Sequence, residues 1–194
     1  AVRMTDTAQA GITAQNVEGD TAATLGEILT ASVLVRETMA PDYRLQALLK
    51  DSVGNHVVGD AHPQGRTRGL VSVASEATGL LLGDDSVLQV MRMLPNGEMH
   101  QGIVSAGLGE GVAGAVMTYL QQSEQVTSMV GIRCLMDEER VVAAGGYVVQ
   151  LLPEVTEAPL AVMTERLEDF RDVEEVLVST DADPAQLVSE LLYG

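Results

Sequence analysis

The sequence predicts an α+β domain in which mixed or antiparallel sheets pack with helices, followed by a helical C-terminal segment. The first observation is the order of segments, which runs helix, strands, helix, strands and helices without a strict strand–helix alternation. The second is that turn residues such as Asn96 and Gly97 separate short apolar runs, as is typical of antiparallel strands. The third is that 46% of the 194 residues are hydrophobic but only 3% are aromatic, so the core should be aliphatic.

The first clear element is a long helix over residues 21–39, which should end before Pro41 because the residue preceding a proline disfavours helical geometry. Side chains at spacings of three and four define one apolar face of this helix: Leu25, Ile28, Leu29, Ser32, Val33 and Arg36. Upstream, residues 2–4 are predicted as a short strand and residues 8–17 as a weak helix. Asp20 and Thr21 offer a cap for the long helix.

Five strands are predicted in the middle of the chain. Three runs, YRLQALLKD, NHVVGDA and TRGLVSV, are separated by turn residues and indicate a meander of antiparallel strands. Two more, SVLQVMRML and EMHQGIVS, are joined at the tight-turn pair Asn96-Gly97. Both faces of SVLQVMRML are largely apolar, so this strand is either central in its sheet or covered on both sides.

A second helix and two further strands complete the predicted sheet region. The helix covers about residues 110–122 and carries an apolar face of Val112, Val116, Tyr119 and Leu120. The strands TSMVGIRCLMD and RVVAAGGYVVQLLP follow, joined by the charged turn DEER. The pair Gly145-Gly146 inside the second strand predicts a bulge or a close approach of two backbones.

The chain is predicted to divide into a folding domain, residues 1–153, and an acidic helical linker region, residues 154–194. Pro153 ends the strand region, and the remainder combines many carboxylates with helical spacing. Asp183 followed by Pro184 is typical of a helix start, with Asp as the cap and Pro at the first helical position.

The charge of the chain restricts its partners and its location. Lysine and arginine number 11 and aspartate and glutamate 28, a net charge of −17, which is unsuited to nucleic acid and to anionic membranes. We expect a cytoplasmic protein, since there is neither an apolar signal region nor a run approaching the ~20 apolar residues of a membrane span. The single cysteine, Cys134, excludes a disulfide and a cysteine-based zinc site within one chain. The three histidines show no metal-ligand spacing.

Candidate catalytic groups are few and do not converge. Cys134 lies in the middle of a strand and is most simply a small buried hydrophobe. The GLGEG stretch, residues 107–111, lacks the GxxxxGK[ST] pattern of a phosphate loop and carries a glutamate that would repel phosphate. His100 and Glu98 could form one acid/base pair, but catalysis needs further convergent groups. The sequence therefore predicts a protein that is not an enzyme.

Three segments carry a family resemblance: HQGIVS at residues 100–105, YLQQSEQVTS at 119–128 and AAGGYVVQLLPE at 143–154. In this order and spacing they resemble the heat shock protein 33 family, the redox-regulated holdase chaperones, and the likeness extends over nearly the whole chain. The resemblance implies that these motif positions are architectural: Gln101, Gly102, Ser123, Glu124, Gln125, Gly145 and Gly146. We expect the polar side chains of the QSEQ run to bond the carbonyls left free at a helix end.

Two departures from the family pattern bear on regulation. In the family, a helical linker and a zinc domain with four cysteines follow the folding domain, and disulfide formation there releases zinc and exposes the client-binding surface. This sequence ends at LLYG, about where that domain would begin, so it is either truncated or a paralogue without the switch. No cofactor is expected, and zinc only if a cysteine domain exists in the full gene. The stretch LQALLKDSVGNHVVGD also lacks the glycine-rich, QGDGP-like turn of the family.

Two main functional hypotheses follow, beside a weaker third of an enzyme using His100, Glu98 or Cys134, for which no base, nucleophile and orienting group converge. The first is an ATP-independent holdase that binds unfolded or partly folded proteins through an apolar sheet surface, without thiol gating. Its predicted client-binding residues lie on two strands: Val87, Met91, Met93, Tyr147, Val149 and Leu151. The second is a divergent paralogue that acts as a specific dimeric interaction or structural protein. A homodimer is expected, with strands or the acidic tail exchanged between protomers.

Overall fold

The computed structural model describes residues 19–73, 79–80, 82–107, 109, 111–151, 165, 173–179 and 183–193. The predicted strand at 2–4, the predicted helix at 8–17 and the boundary between 153 and 154 lie outside these residues. The helices and strands are, in order, α1 (Gly19–Glu37), β1 (Arg44–Lys50), β2 (His56–Ala61), β3 (Thr67–Ser72), β4 (Val87–Met93), β5 (Met99–Ser105), α2 (Gly111–Ser123), β6 (Ser128–Asp137), β7 (Arg140–Gln150), α3 (Val173–Ser179) and α4 (Pro184–Tyr193).

Two antiparallel sheets form the scaffold. The larger has the strand order β3-β2-β1-β4-β5, and the smaller consists of β6 and β7. β1 and β4 are distant in sequence but pair along their whole length, from Arg44 opposite Met93 to Lys50 opposite Val87. The predicted α+β class and its antiparallel sheets are confirmed. β4 is central, because it pairs with β1 on one side and β5 on the other.

Helix α1 lies between the two sheets and packs against strands of both. Its buried residues occupy most of its circumference, so the prediction of a single apolar face was wrong. Small residues allow this close approach: a Cβ atom on Gly59 of β2 would lie 2.4 Å from Ser32 Oγ and 2.8 Å from the Ile28 carbonyl oxygen. The hydroxyls of Ser32 and Thr30 donate to the carbonyls of Ile28 and Gly26 at 2.7 and 2.9 Å, which satisfies them inside the core.

Helix α2 packs against β5 and β6 and also touches α1. The four side chains predicted to share its apolar face are all buried: Val112, Val116, Tyr119 and Leu120. Tyr119 is the largest fully buried side chain among the described residues, and the cluster around it is otherwise aliphatic. The sheets and the two helices therefore enclose the aliphatic core that the composition predicts.

The C-terminal segment contributes helices α3 and α4. α3 packs on β6 and buries Val173 and Leu177. At the start of α4, Asp183 Oδ1 accepts a hydrogen bond from the Ala185 N–H at 2.8 Å. The predicted helix cap at Asp183 is therefore confirmed, with Pro184 at the first helical position.

Candidate functional site

Glu124, in the middle of the QSEQ run, links helix α2 to the larger sheet. Its Oε1 accepts a hydrogen bond from the Tyr119 hydroxyl at 2.6 Å, and its Oε2 lies 2.8 Å from Arg92 Nη1 on β4. Burial raises the pKa of Tyr119, and the adjacent Glu124 carboxylate raises it further. The phenol therefore stays neutral and acts as a donor. The carboxylate thus joins the segment after α2 to α2 itself and to β4, and this structural role explains its position without a substrate.

The QGIV strand meets the QSEQ run at Gly102. A Cβ atom on Gly102 would lie 2.6 Å from Ser123 Oγ and 2.7 Å from Tyr119 Cε2, so only glycine lets α2 seat against β5 at this point. Gln101, the neighbouring motif residue, is exposed. Two of the three motifs that carry the family resemblance therefore meet at one contact.

The end of α2 is closed by backbone groups. The Leu120 carbonyl accepts hydrogen bonds from the N–H groups of Glu124 and Val126, at 3.2 and 3.1 Å. Gln125 adopts a left-handed conformation, with φ of 57°, which turns the chain out of the helix. The structure thus differs from the expectation that polar side chains bond the free carbonyls, since the Glu124 carboxylate serves Tyr119 and Arg92.

The Gly145-Gly146 pair allows two close approaches in the smaller sheet. A Cβ atom on Gly146 would lie 2.2 Å from the Gly131 carbonyl oxygen of β6, and one on Gly145 would lie 2.6 Å from Leu177 Cδ2 of α3. The register shift of this sheet lies between Leu135 and Met136 of β6. Of the two predicted alternatives at the glycine pair, the close backbone approach is therefore present.

Helix α3 covers the face of the smaller sheet that points away from α1. On this face Gly131 pairs with Tyr147, and a Cβ atom on Gly131 would meet both the Tyr147 ring and Val173 Cγ2. The opposite face supplies Val130 and Ile132 to the core. Helix α3, which lies in the predicted linker region, therefore covers an apolar surface of the smaller sheet.

The second surface that carries apolar side chains is the outer face of the larger sheet, which we define as the side that points away from α1. Strand pairing places one row of outward residues across all five strands: Leu70, Val58, Leu48, Gln89 and Ile103. Leu70 at one edge is 60% exposed and Ile103 at the other is 56% exposed. Met99, near Ile103 on β5, is 60% exposed. This row, which we call the apolar row, is apolar except at Gln89. Its two ends are largely exposed, and the residues between them are half-buried.

The predicted client-binding residues are divided between these two surfaces. Val87, Met91 and Met93 point outward on β4, while Tyr147 and Val149 lie on the face of the smaller sheet that α3 covers. Leu151 follows β7 and continues the same alternation. All six are half-buried.

The more exposed positions Leu70, Met99 and Ile103 were not predicted as binding residues. Alternation within each strand could have placed each of them on a face. Only strand pairing shows that these faces form one surface.

One charged cluster lies on the outer face. Asp60 of β2 accepts hydrogen bonds from Arg44 Nε at 2.7 Å and from Arg68 Nε at 2.8 Å. Burial acts to raise the Asp60 pKa, but hydrogen bonds from the two guanidinium groups and their charges outweigh it and hold the pKa below its ordinary value. Asp60 therefore stays ionised, with two cations beside it.

The residues considered for catalysis do not assemble into a site. Cys134 is buried, and burial, with a smaller contribution from Glu27, raises the pKa of its thiol to about 12. His100 and Glu98 are both exposed near the β4–β5 turn. Among the described residues, no group of three or more His, Cys, Asp or Glu side chains is placed to hold a metal ion. No helix in the described ranges is long and apolar enough to span a membrane.

Comparison with known proteins identifies the fold and the family. The family model described as Hsp33 protein matches residues 1–194. The 33 kDa chaperonin of Syntrophotalea carbinolica is 30% identical over 194 aligned residues, covering 93% of this chain and 66% of the relative. The 33 kDa chaperonin of Bacillus subtilis is 27% identical, covering 99% of this chain and 69% of the relative. The chain thus spans about two thirds of the length of these curated relatives.

The solved structure of the 33 kDa chaperonin (heat shock protein 33 homolog) from Thermotoga maritima has the same fold. It superposes with a TM-score of 0.70 at 20% identity, covering 89% of this chain and 63% of that one. The fold and the named relatives define the class, which is a family of chaperones. Within that class, the chain belongs to the Hsp33 family, as the three motifs predict.

Proposed function

We propose that this chain is an ATP-independent holdase, which binds unfolded or partly folded polypeptides on the outer face of the larger sheet. The supporting observation is the apolar row, which is apolar on four of its five strands and whose ends at Leu70 and Ile103 are largely exposed. Contiguous exposed apolar surface is uncommon on monomeric proteins and marks interaction sites. Met91, Met93 and Met99 add flexible side chains that adapt to varied partners.

The proposed holding activity of these 194 residues is independent of thiol oxidation. Cys134 is the only cysteine of the sequence and is buried, with a thiol pKa raised to about 12. A neutral, inaccessible thiol reacts slowly with peroxide, because the thiolate is the reactive form. We propose no cofactor for this chain, and cytoplasmic location stays a prediction.

The proposal is tested by light scattering of two unrelated, thermally unfolding client proteins, with and without the chain. The assay is run under reducing conditions and again after peroxide. We expect suppression of aggregation of both clients, unchanged by peroxide. A clear gain of activity after peroxide would contradict the absence of thiol gating.

Matched variants locate the binding surface. Ile103→Gln and Leu70→Gln replace exposed apolar side chains on the outer face, and should weaken suppression of both clients with little effect on folding. Val142→Gln is the control, because Val142 is 66% exposed on β7, in the other sheet. Equal effects of Ile103→Gln and Val142→Gln would argue against the outer face as the binding surface.

The alternative, a dedicated dimeric interaction protein, predicts no suppression of either client in any condition. Sedimentation equilibrium of the chain would then be the informative measurement. A homodimer stays a prediction under both hypotheses.

A further inference from the structure

The outer face carries a local charge opposite to that of the whole chain. Its outward strand positions include three cations, Arg44, Lys50 and Arg68, and one carboxylate, Asp60, which leaves a net charge of +2. The 194-residue sequence has a net charge of −17. A surface that simply followed the composition would be acidic, so the strands of this face depart from the average charge of the chain.

Two of the three cations, Arg68 and Lys50, remain accessible to solvent. The Arg68 side chain is 76% exposed although its Nε lies 2.8 Å from Asp60 Oδ2, and Lys50 is exposed at the end of β1. Each lies two residues from an apolar residue on the same face, Arg68 before Leu70 and Lys50 after Leu48. A ligand lying across the apolar row would therefore place its own charged groups beside these cations.

From this arrangement we infer that the outer face selects unfolded segments in which carboxylates lie near aliphatic or aromatic side chains. This inference rests on the proposed holdase function and specifies its substrate class. Apolar burial would provide most of the affinity, and charge complementarity would provide the selectivity. At physiological ionic strength charges beyond about 8 Å are largely screened, so the nearby cations dominate over the distant acidic surface.

The inference is tested by fluorescence anisotropy with three peptides that share the same aliphatic residues and differ in their charged positions, which hold Glu, Lys or Gln. An exposed ion pair contributes about 0.2–1 kcal/mol, or roughly 1.4- to fivefold in affinity. With two such contacts, the Glu peptide should bind about three- to tenfold more tightly than the Lys peptide at 0.15 M salt. The Gln peptide should fall between them.

Two charge reversals with the same change in net charge identify the surface. Lys50→Glu should lower the affinity for the Glu peptide by about threefold or more and raise the affinity for the Lys peptide. Arg140→Glu, at an exposed residue of the smaller sheet, should leave both affinities within about twofold of the wild type. Both positions are exposed, so neither substitution should prevent folding.

The outcomes separate this inference from the proposed function. Tighter binding of the Lys peptide than of the Glu peptide, or equal effects of the two charge reversals, would overturn the inference. The holdase proposal would still stand in that case if the Gln peptide binds and client aggregation is suppressed. If no peptide binds and no client is held, both fail. Self-association that blocks peptide binding would assign the outer face to a second copy of the chain and would also overturn the inference.

Discussion

Replacing Glu124 with glutamine should destabilise the fold by about 1.5–2 kcal/mol. The substitution keeps the shape of the side chain but removes the charge that lies 2.6 Å from the Tyr119 hydroxyl and 2.8 Å from Arg92. One hydrogen bond to a charged group contributes about 1.5–3 kcal/mol, and the glutamine oxygen can still accept one of the two bonds, so the loss corresponds to about one such bond. The Arg92 and Glu124 side chains are 25% and 19% exposed, so solvent weakens their interaction and the expected loss of stability lies at the lower end of this range. For a chain of this size, the melting temperature should fall by about 3–8 °C.

Urea denaturation followed by circular dichroism measures this loss, and a double-mutant cycle assigns it. Arg92→Gln should cost about 1 kcal/mol less in the Glu124→Gln background than in the wild type, because the pair is already broken. Glu98→Gln is the control, since it removes an exposed carboxylate from the β4–β5 turn. A Glu124→Gln stability within about 0.5 kcal/mol of the wild type, or an absent coupling to Arg92, would refute the reasoning. Client holding well below the melting temperature should be unchanged, since this contact is architectural.

Three further predictions concern the glycine pair, the thiol and the outer-face carboxylate. Gly146→Ala should destabilise more than Gly145→Ala in urea denaturation, because its Cβ would lie 2.2 Å from a backbone carbonyl, whereas that of Gly145 would lie 2.6 Å from a movable Leu177 methyl. Similar losses of stability in the two variants would contradict this prediction. Cys134 should resist alkylation by iodoacetamide at pH 8 in the folded chain, because the pKa of its thiol is raised to about 12. In urea the thiol should react, and mass spectrometry measures the alkylated fraction in both conditions. Asp60→Asn should be less stable than the wild type at pH 7. Folding lowers the Asp60 pKa, so the ionised carboxylate contributes its full stabilisation of the fold above the ordinary pKa of 3.8. This stabilisation is lost as the pH falls through the folded-state pKa. The free energies of unfolding of the wild type and of Asp60→Asn should therefore converge in acid.

Local patterns in the sequence were sufficient for most elements. Alternation in RLQALLK places Leu45, Ala47 and Leu49 on one side of a strand, and these three residues are buried. The Asn96-Gly97 turn and the Asp183-Pro184 helix start depend on a few neighbouring residues, and both occur where they were predicted. Such features are determined by backbone geometry within a few residues, so no information about the rest of the fold is needed.

Features set by distant contacts could not be predicted in this way. The periodicity of α1 indicated one apolar face, because nothing in its own sequence shows that a second sheet closes on the other side. Glu124 and Arg92 are 32 residues apart, so their ion pair depends on how α2 seats against the sheet. The outer face likewise requires the pairing of β1 with β4, which brings Leu48 beside Gln89. A single sequence does not contain these pairings in any local pattern.

The charges of the outer face also bear on how two copies of the chain could associate. The apolar row alone would favour face-to-face pairing through this surface. Such an isologous pair would bring two faces of net charge +2 together, in protomers that each carry −17. The local charges then repel, and like charges brought together at an interface cost several kcal/mol. A homodimer of this chain is therefore expected to use another surface, which leaves the outer face open to ligands whose carboxylates match Lys50 and Arg68.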